Sequence, residues 1–199
     1  MEINESSLTF TFNEGINAIK FDDTRFYRED FNNLPGGKGV DILAASASSD
    51  IIQLIEIKNC TGHESENAWR IGVNNRSRSN MPNGLDEYDR DSLDIEVSKK
   101  VAMTISCIYG AWSLRGRVDR ASEIEEYWGD FNSPKIPNLK RKIYVSLFLE
   151  GEFGSKTRSK KMIMKRIQES LNKKLQWLNC KVTVVDSNTY NPKYYRVSK

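Results

Sequence analysis

The run Ile51-Ile52-Gln53-Leu54-Ile55-Glu56-Ile57-Lys58 constrains this chain more than any other stretch. Its near-continuous apolar character reads as a central strand covered on both faces. Such a strand demands partner strands beside it and packed layers above and below. Glu56 and Lys58 break the pattern. Two residues apart on a strand, their side chains leave the same face. A charge in that position costs several kcal/mol unless it is paired or binds a metal.

The rest of the chain supplies the elements such a strand needs. Leu8–Phe12 alternates like a short strand, and Asn13 is placed to cap a short helix over residues 14–20. Residues 21–33 are aromatic and charged without clean periodicity, and Leu34-Pro35-Gly36-Gly37 is a turn. A second β-rich run, residues 39–45, precedes the central strand. Residues 59–91 are poor in apolar side chains and read as a long loop region. Residues 92–112 form an amphipathic helix with Val97, Val101, Ile105, Ile108 and Trp112 on one face. Residues 115–141 are polar, with Pro134 and Pro137 breaking any helix. Residues 143–149 are a third strongly apolar strand. Residues 156–178 are a second helix, with Ile163, Ile167, Leu171 and Leu175 in one row, and residues 181–186 close with a core strand. The expected fold is a single α/β domain over residues 1–199, a mixed sheet of about four to five strands flanked by helices.

Asp41 intrudes into the preceding strand as Glu56 does into the central one. If the two strands form an antiparallel hairpin with residues 47–50 as its loop, Asp41 lies opposite Glu56, with Cβ atoms about 5 Å apart. Like charges so placed repel, and a divalent cation between them reverses the sign, hard oxygen ligands suiting Mg²⁺ or Mn²⁺. A one-residue slip puts Asp41 on the other face instead. The plainer alternative is an exposed Glu–Lys pair worth about 0–1 kcal/mol. Against it stand the apolar setting and the second acid.

Lys38-Gly39-Val40-Asp41-Ile42-Leu43 and Leu54-Ile55-Glu56-Ile57-Lys58-Asn59 together resemble the PD-(D/E)xK nuclease superfamily. That fold is shared by many restriction enzymes, Holliday-junction resolvases and repair nucleases. Val40 stands where the family often has proline. The resemblance implies a restriction endonuclease-like sheet and hydrolysis of phosphodiesters. It implies Asp41 and Glu56 as ligands of Mg²⁺ or Mn²⁺, the Ile57 carbonyl as a third, and Lys58 positioning or activating the attacking water. Such enzymes often carry a further acid upstream. Asp22 or Asp23 is favoured here, with Glu29 and Glu14 as rivals.

Nucleic acid, with DNA favoured, is the partner this implies, and a homodimer or a protein partner are further options. The net charge of +3 permits such a partner without demanding one. Lys38, Arg70, Arg76, Lys160 and Lys161 are candidate backbone contacts, with Arg78, Lys165, Arg166, Lys173 and Lys174 nearby and Trp69 available for stacking. A solvated helix face and a solvated loop explain the same charges. Cys60 and His63 have the spacing of half a zinc site, but no second histidine exists to complete it. Three cysteines without a close pair fit a reducing compartment, and no apolar run approaches the length of a membrane span, so a cytoplasmic setting is expected. The alternative function is a catalytically inactive nuclease-fold module that binds nucleic acid or protein. A third is an interaction protein with an incidental salt bridge.

Overall fold

The computed structural model describes residues 1–46, 48, 50–74, 81, 83–85, 90–132, 142–154 and 157–199. Strands β1 (Glu2–Glu5), β2 (Leu8–Phe12), β3 (Ile16–Lys20), β4 (Ile42–Ser46) and β5 (Ile51–Asn59) come first. Strands β6 (Lys142–Glu150), β7 (Cys180–Val185) and β8 (Tyr195–Ser198) follow. The helices are α1 (Arg25–Glu29), α2 (Glu64–Asn67), α3 (Leu93–Ser113), α4 (Glu126–Asn132) and α5 (Lys160–Lys174).

The main sheet is mixed and five-stranded, in the order β3-β4-β5-β6-β7. Its first half is an antiparallel meander. In its second half β5, β6 and β7 run parallel, linked by segments that carry α3 and α5. Parallel neighbours need such crossovers, and two successive crossovers stepping the same way place both helices on one face. Side chains then sort by the period of two. Leu43, Ala45, Ile52, Leu54, Val145, Leu147 and Val182 pack with Val97, Val101, Ile108, Ile167 and Leu171 in the helical layer. Ile42, Ala44, Ile55, Ile57 and Phe148 face the other way, onto Leu8, Phe10, Phe12 and Tyr195 of a second, antiparallel sheet in the order β1-β2-β8. The central strand is therefore covered on both faces, as its composition demands.

The helix expected over residues 14–20 is not formed: residues 16–20 are strand β3. Gly15 turns the chain at φ +78°, and Ile16 and Ala18 then pack toward the small sheet while Ile19 packs toward the helices. Gly15 at positive φ breaks a helical path, and the edge of β4 rewards that alternation directly. The loop region 59–91 contains α2 and a 3-10 turn over Ala68–Ile71. Residues 115–132 are not merely polar, since a 3-10 turn (Asp119–Glu123) and α4 form there; Pro134 and Pro137 lie outside the described residues. Strands β1 and β8 have no counterpart in the sequence reading.

Two contacts seat the entry to β4. The Phe21 N–H donates to the Asp41 carbonyl oxygen at 2.8 Å, and the Val40 N–H donates to Thr104 Oγ1 at 3.0 Å. Gly39 lies directly under the Phe21 ring, where an added Cβ would meet Cε1 at 2.5 Å and Cδ1 at 2.7 Å. Gly39→Ala must therefore push Phe21 away from the start of β4. Urea unfolding of that variant is expected to show a loss of roughly 1–3 kcal/mol, the usual cost of overpacking a tight core. An unchanged midpoint would mean that Phe21 moves freely.

Candidate active site

The β4–β5 hairpin has the register that brings two acids together. Ile42 pairs with Ile55 and Ala45 with Ile52, so the next step outward sets Asp41 opposite Glu56, and residues 47–50 connect the strands. The side chains reinforce that register. Asp41 Oδ2 accepts from the Ile57 N–H at 2.6 Å, tying the acid to the neighbouring strand's backbone. The N–H and C=O of one strand residue leave on the same side, so the Ile57 carbonyl also faces the β4 side. Asp41 is 8% exposed and Glu56 wholly buried.

Helix α3 answers these acids with Lys100. Its Nζ donates to Glu56 Oε1 at 2.7 Å and stands 3.6 Å from Asp41 Oδ1. Lys58 Nζ lies 2.8 Å from the same Glu56 oxygen and 3.0 Å from Glu96 Oε1. Glu96 Oε2 in turn pairs with Arg70. The charges thus alternate along one chain: Asp41, Lys100, Glu56, Lys58, Glu96, Arg70. Three acids meet three bases. Two atoms of this charge chain are left over, since Glu56 Oε2 and Arg70 Nε are buried with no hydrogen-bond partner. An orphaned carboxylate oxygen in the interior is costly.

Burial and the adjacent Glu56 charge push the Asp41 carboxyl up to about 7, against the pull of Lys100, Lys58 and the Ile57 N–H. Burial also works to raise Glu96, but Lys58, Arg70 and Lys100 outweigh it and hold that carboxyl down at about 2. On Lys58 and Lys100 burial opposes the charge, and the Glu56 carboxylate leads the contacts that overcome it, so both stay firmly protonated.

Of the four upstream acids, Asp22 stands apart. It is half-buried, its Oδ1 lacks a partner, and burial raises its carboxyl while the charges of Lys20 and Lys100 oppose the rise. Asp23, Glu29 and Glu14 are exposed, Asp23 pairing with Lys20, and Glu29 with Arg25 and Arg120. Even so, no group of three or more His, Cys, Asp or Glu among the described residues is arranged to hold an ion, so Asp41, Glu56 and Asp22 do not form a ready cage.

The expected nucleic-acid contacts scatter. Arg70 joins the charge chain. Lys160 is committed to Asp186 at 2.6 Å, while Lys161 is exposed on α5 and Lys38 is half-buried before β4. Lys165 and Arg166 are exposed on the same helix, as is Lys173, but Lys174 is tied to Asp94. Trp69 is buried and so offers no stacking face. Arg76 and Arg78 lie outside the described residues. A cleft of about 590 Å³ opens beyond the carboxyl ends of β5 and β6, lined by Glu64, Phe153 and Arg166 among others, but Asp41, Glu56 and Lys58 do not line it.

Glu96 and Lys100 escaped the sequence reading. The buried face of α3 runs through Leu93, Val97, Lys100, Val101, Thr104, Cys107, Ile108 and Ala111, with Ile105 and Trp112 at its margin. A lysine inside that row was the available signal.

The high Asp41 value has a definite consequence for stability. The native protein keeps the Asp41 proton up to about pH 7, whereas the unfolded chain loses it near the ordinary 3.8. Folding therefore takes up a proton between these values, and stability from this group falls as pH rises through that window. With chelator present, Asp41→Asn should gain on the wild type between pH 4 and pH 7, by on the order of a few kcal/mol in urea unfolding. A pH-independent difference would contradict the assignment.

A search of curated proteins and a search of solved structures each returned no match. The model of a family of unknown function, DUF6661, matches residues 24–199, and the chain belongs to that family.

Proposed function

We propose that this protein is a metal-dependent nuclease that hydrolyses phosphodiester bonds of nucleic acid, DNA being favoured. The observation that carries the reading is the hairpin register. It sets Asp41 against Glu56, with Lys58 on the same face, in a buried corner of the sheet. The antiparallel meander followed by two parallel units accords with the PD-(D/E)xK resemblance of the same residues.

The donor set suits a hard divalent cation. Asp41 and Glu56 offer carboxylate oxygens, Glu56 Oε2 has no other partner, and the Ile57 carbonyl faces the same side. Mg²⁺ or Mn²⁺ held there would polarise a scissile phosphate and acidify an attacking water. Lys58, anchored between Glu56 and Glu96 and partly exposed, supplies the ammonium that would position a phosphate or an attacking water. Arg70 fixes Glu96 from the outer side. Lys161 and Arg166 are free of the charge chain and exposed to track a backbone. Among the described residues no helix is long and apolar enough to cross a membrane, and the free Cys60, Cys107 and Cys180 support a cytoplasmic setting.

A second reading, an inactive nuclease-fold module that binds nucleic acid or protein, is favoured by one observation. Lys100 already stands between the two acids and balances them. Cleavage separates the readings. Purified protein incubated with single- and double-stranded DNA and Mn²⁺ should cut, and EDTA should stop it. Asp41→Ala and Glu56→Ala should abolish cutting, and Lys58→Met should reduce it by about 10²-fold or more, the scale of losing one electrostatic stabiliser. A folded wild type that cuts neither DNA nor RNA would leave the inactive module standing.

A further inference from the structure

Lys100 is the one member of the charge chain that touches both acids of the hairpin, and it comes from a different element. Its side chain is 10% exposed and its Nζ binds Glu56 Oε1 at 2.7 Å. A divalent cation shared by Asp41 and Glu56 would sit about 2.0–2.6 Å from their oxygens. Lys58 already shares Glu56 Oε1 with Lys100, so a divalent cation between the acids would add a third positive centre, and repulsion in a buried setting then favours the departure of one ammonium. Lysine is suited to yield, being a point charge on a flexible four-carbon stem. Half-buried Asp22, with Oδ1 unpartnered, lies within the electrostatic influence of the Lys100 ammonium.

We propose that Lys100 is the resident counter-ion of the site: it holds Asp41 and Glu56 together until a divalent cation enters, and its displacement sets how tightly that cation binds. The inference rests on the metal-dependent reading above and deepens it. The opposed acids thus remain paired at every stage, first through an ammonium and then through a metal. Metal affinity is the difference between two occupants rather than the full strength of the ligands.

The test is calorimetric titration of Mn²⁺ into chelator-stripped wild type, Lys100→Met and Lys100→Arg, with thermal unfolding of each protein in parallel. Lys100→Met should bind Mn²⁺ at least about tenfold more tightly than wild type, while Lys100→Arg, which keeps the charge, should not. Without metal, Lys100→Met should melt below wild type, and Mn²⁺ should raise its melting temperature by more than it raises that of wild type. Should Lys100→Met fail to fold, Lys100→Gln keeps a donor toward Glu56 without the charge and should show the same tightening. Equal or weaker Mn²⁺ binding by the folded neutral variant, with wild type binding, overturns the counter-ion role and leaves the nuclease reading in place. Absence of binding in wild type and variants alike overturns both.

Discussion

Two carboxylates face each other across the β4–β5 hairpin, buried in a corner where water cannot screen them, and much of the molecule is arranged around that fact. Ionised together, Asp41 and Glu56 could not remain there alone, since like charges opposite each other on a sheet repel and burial amplifies the repulsion. The structure meets the cost with cations brought from three places: Lys58 from the same strand, Lys100 from α3, and Arg70 from the turn after α2, acting through Glu96. The Asp41 side chain itself clasps the Ile57 backbone, so the register that creates the repulsion is also held by one of the repelling groups. Buried ion networks of this kind seldom stabilise more than well-packed apolar side chains would.

Layering explains why the acids are reachable by those cations. Alternation along β4 and β5 sends Leu43, Ala45, Ile52 and Leu54 toward the helices, and Asp41, Glu56 and Lys58 share that parity. Helix α3 crosses the same face, with Val97 and Val101 in the core and Lys100 between them in the buried row. The small β1-β2-β8 sheet seals the opposite face, where Ile55 and Ile57 point. A single-residue slip in the hairpin would exchange the two parities and send Asp41 into the layer of Ile55, Ile57 and Phe148, away from Lys100. The site is thus a consequence of register, and register is enforced by the apolar side chains on both faces.

Much of this was legible before any coordinates. The apolar run of β5 announced a doubly covered strand, and the small residues 46–50 before it suited a hairpin loop, which together allowed the register that sets Asp41 opposite Glu56. The row Ile163, Ile167, Leu171 and Leu175 placed α5 correctly, and all four side chains are buried. What escaped depends on long-range pairing. Strand β3 looks locally like a short helix, and only the edge of β4 reveals it as a strand. Strands β1 and β8 lie at opposite ends of the chain and acquire meaning only through β2. Lys100 and Glu96 sit on a helix whose buried face is rotated toward Lys100 and Thr104, away from the margin marked by Ile105 and Trp112. Large apolar side chains mark that margin, while the true contact is a smaller, partly polar stripe.

Crystals of the wild-type protein soaked in Mn²⁺ test the central claim most directly, because manganese scatters anomalously and an ammonium does not. The account predicts one anomalous peak bonded to carboxylate oxygens of Asp41 and Glu56, with the Lys100 ammonium moved off Glu56. Full soaking with no peak between those two acids, and Lys100 still donating to Glu56, would contradict it and leave the charge chain as a self-contained structural network.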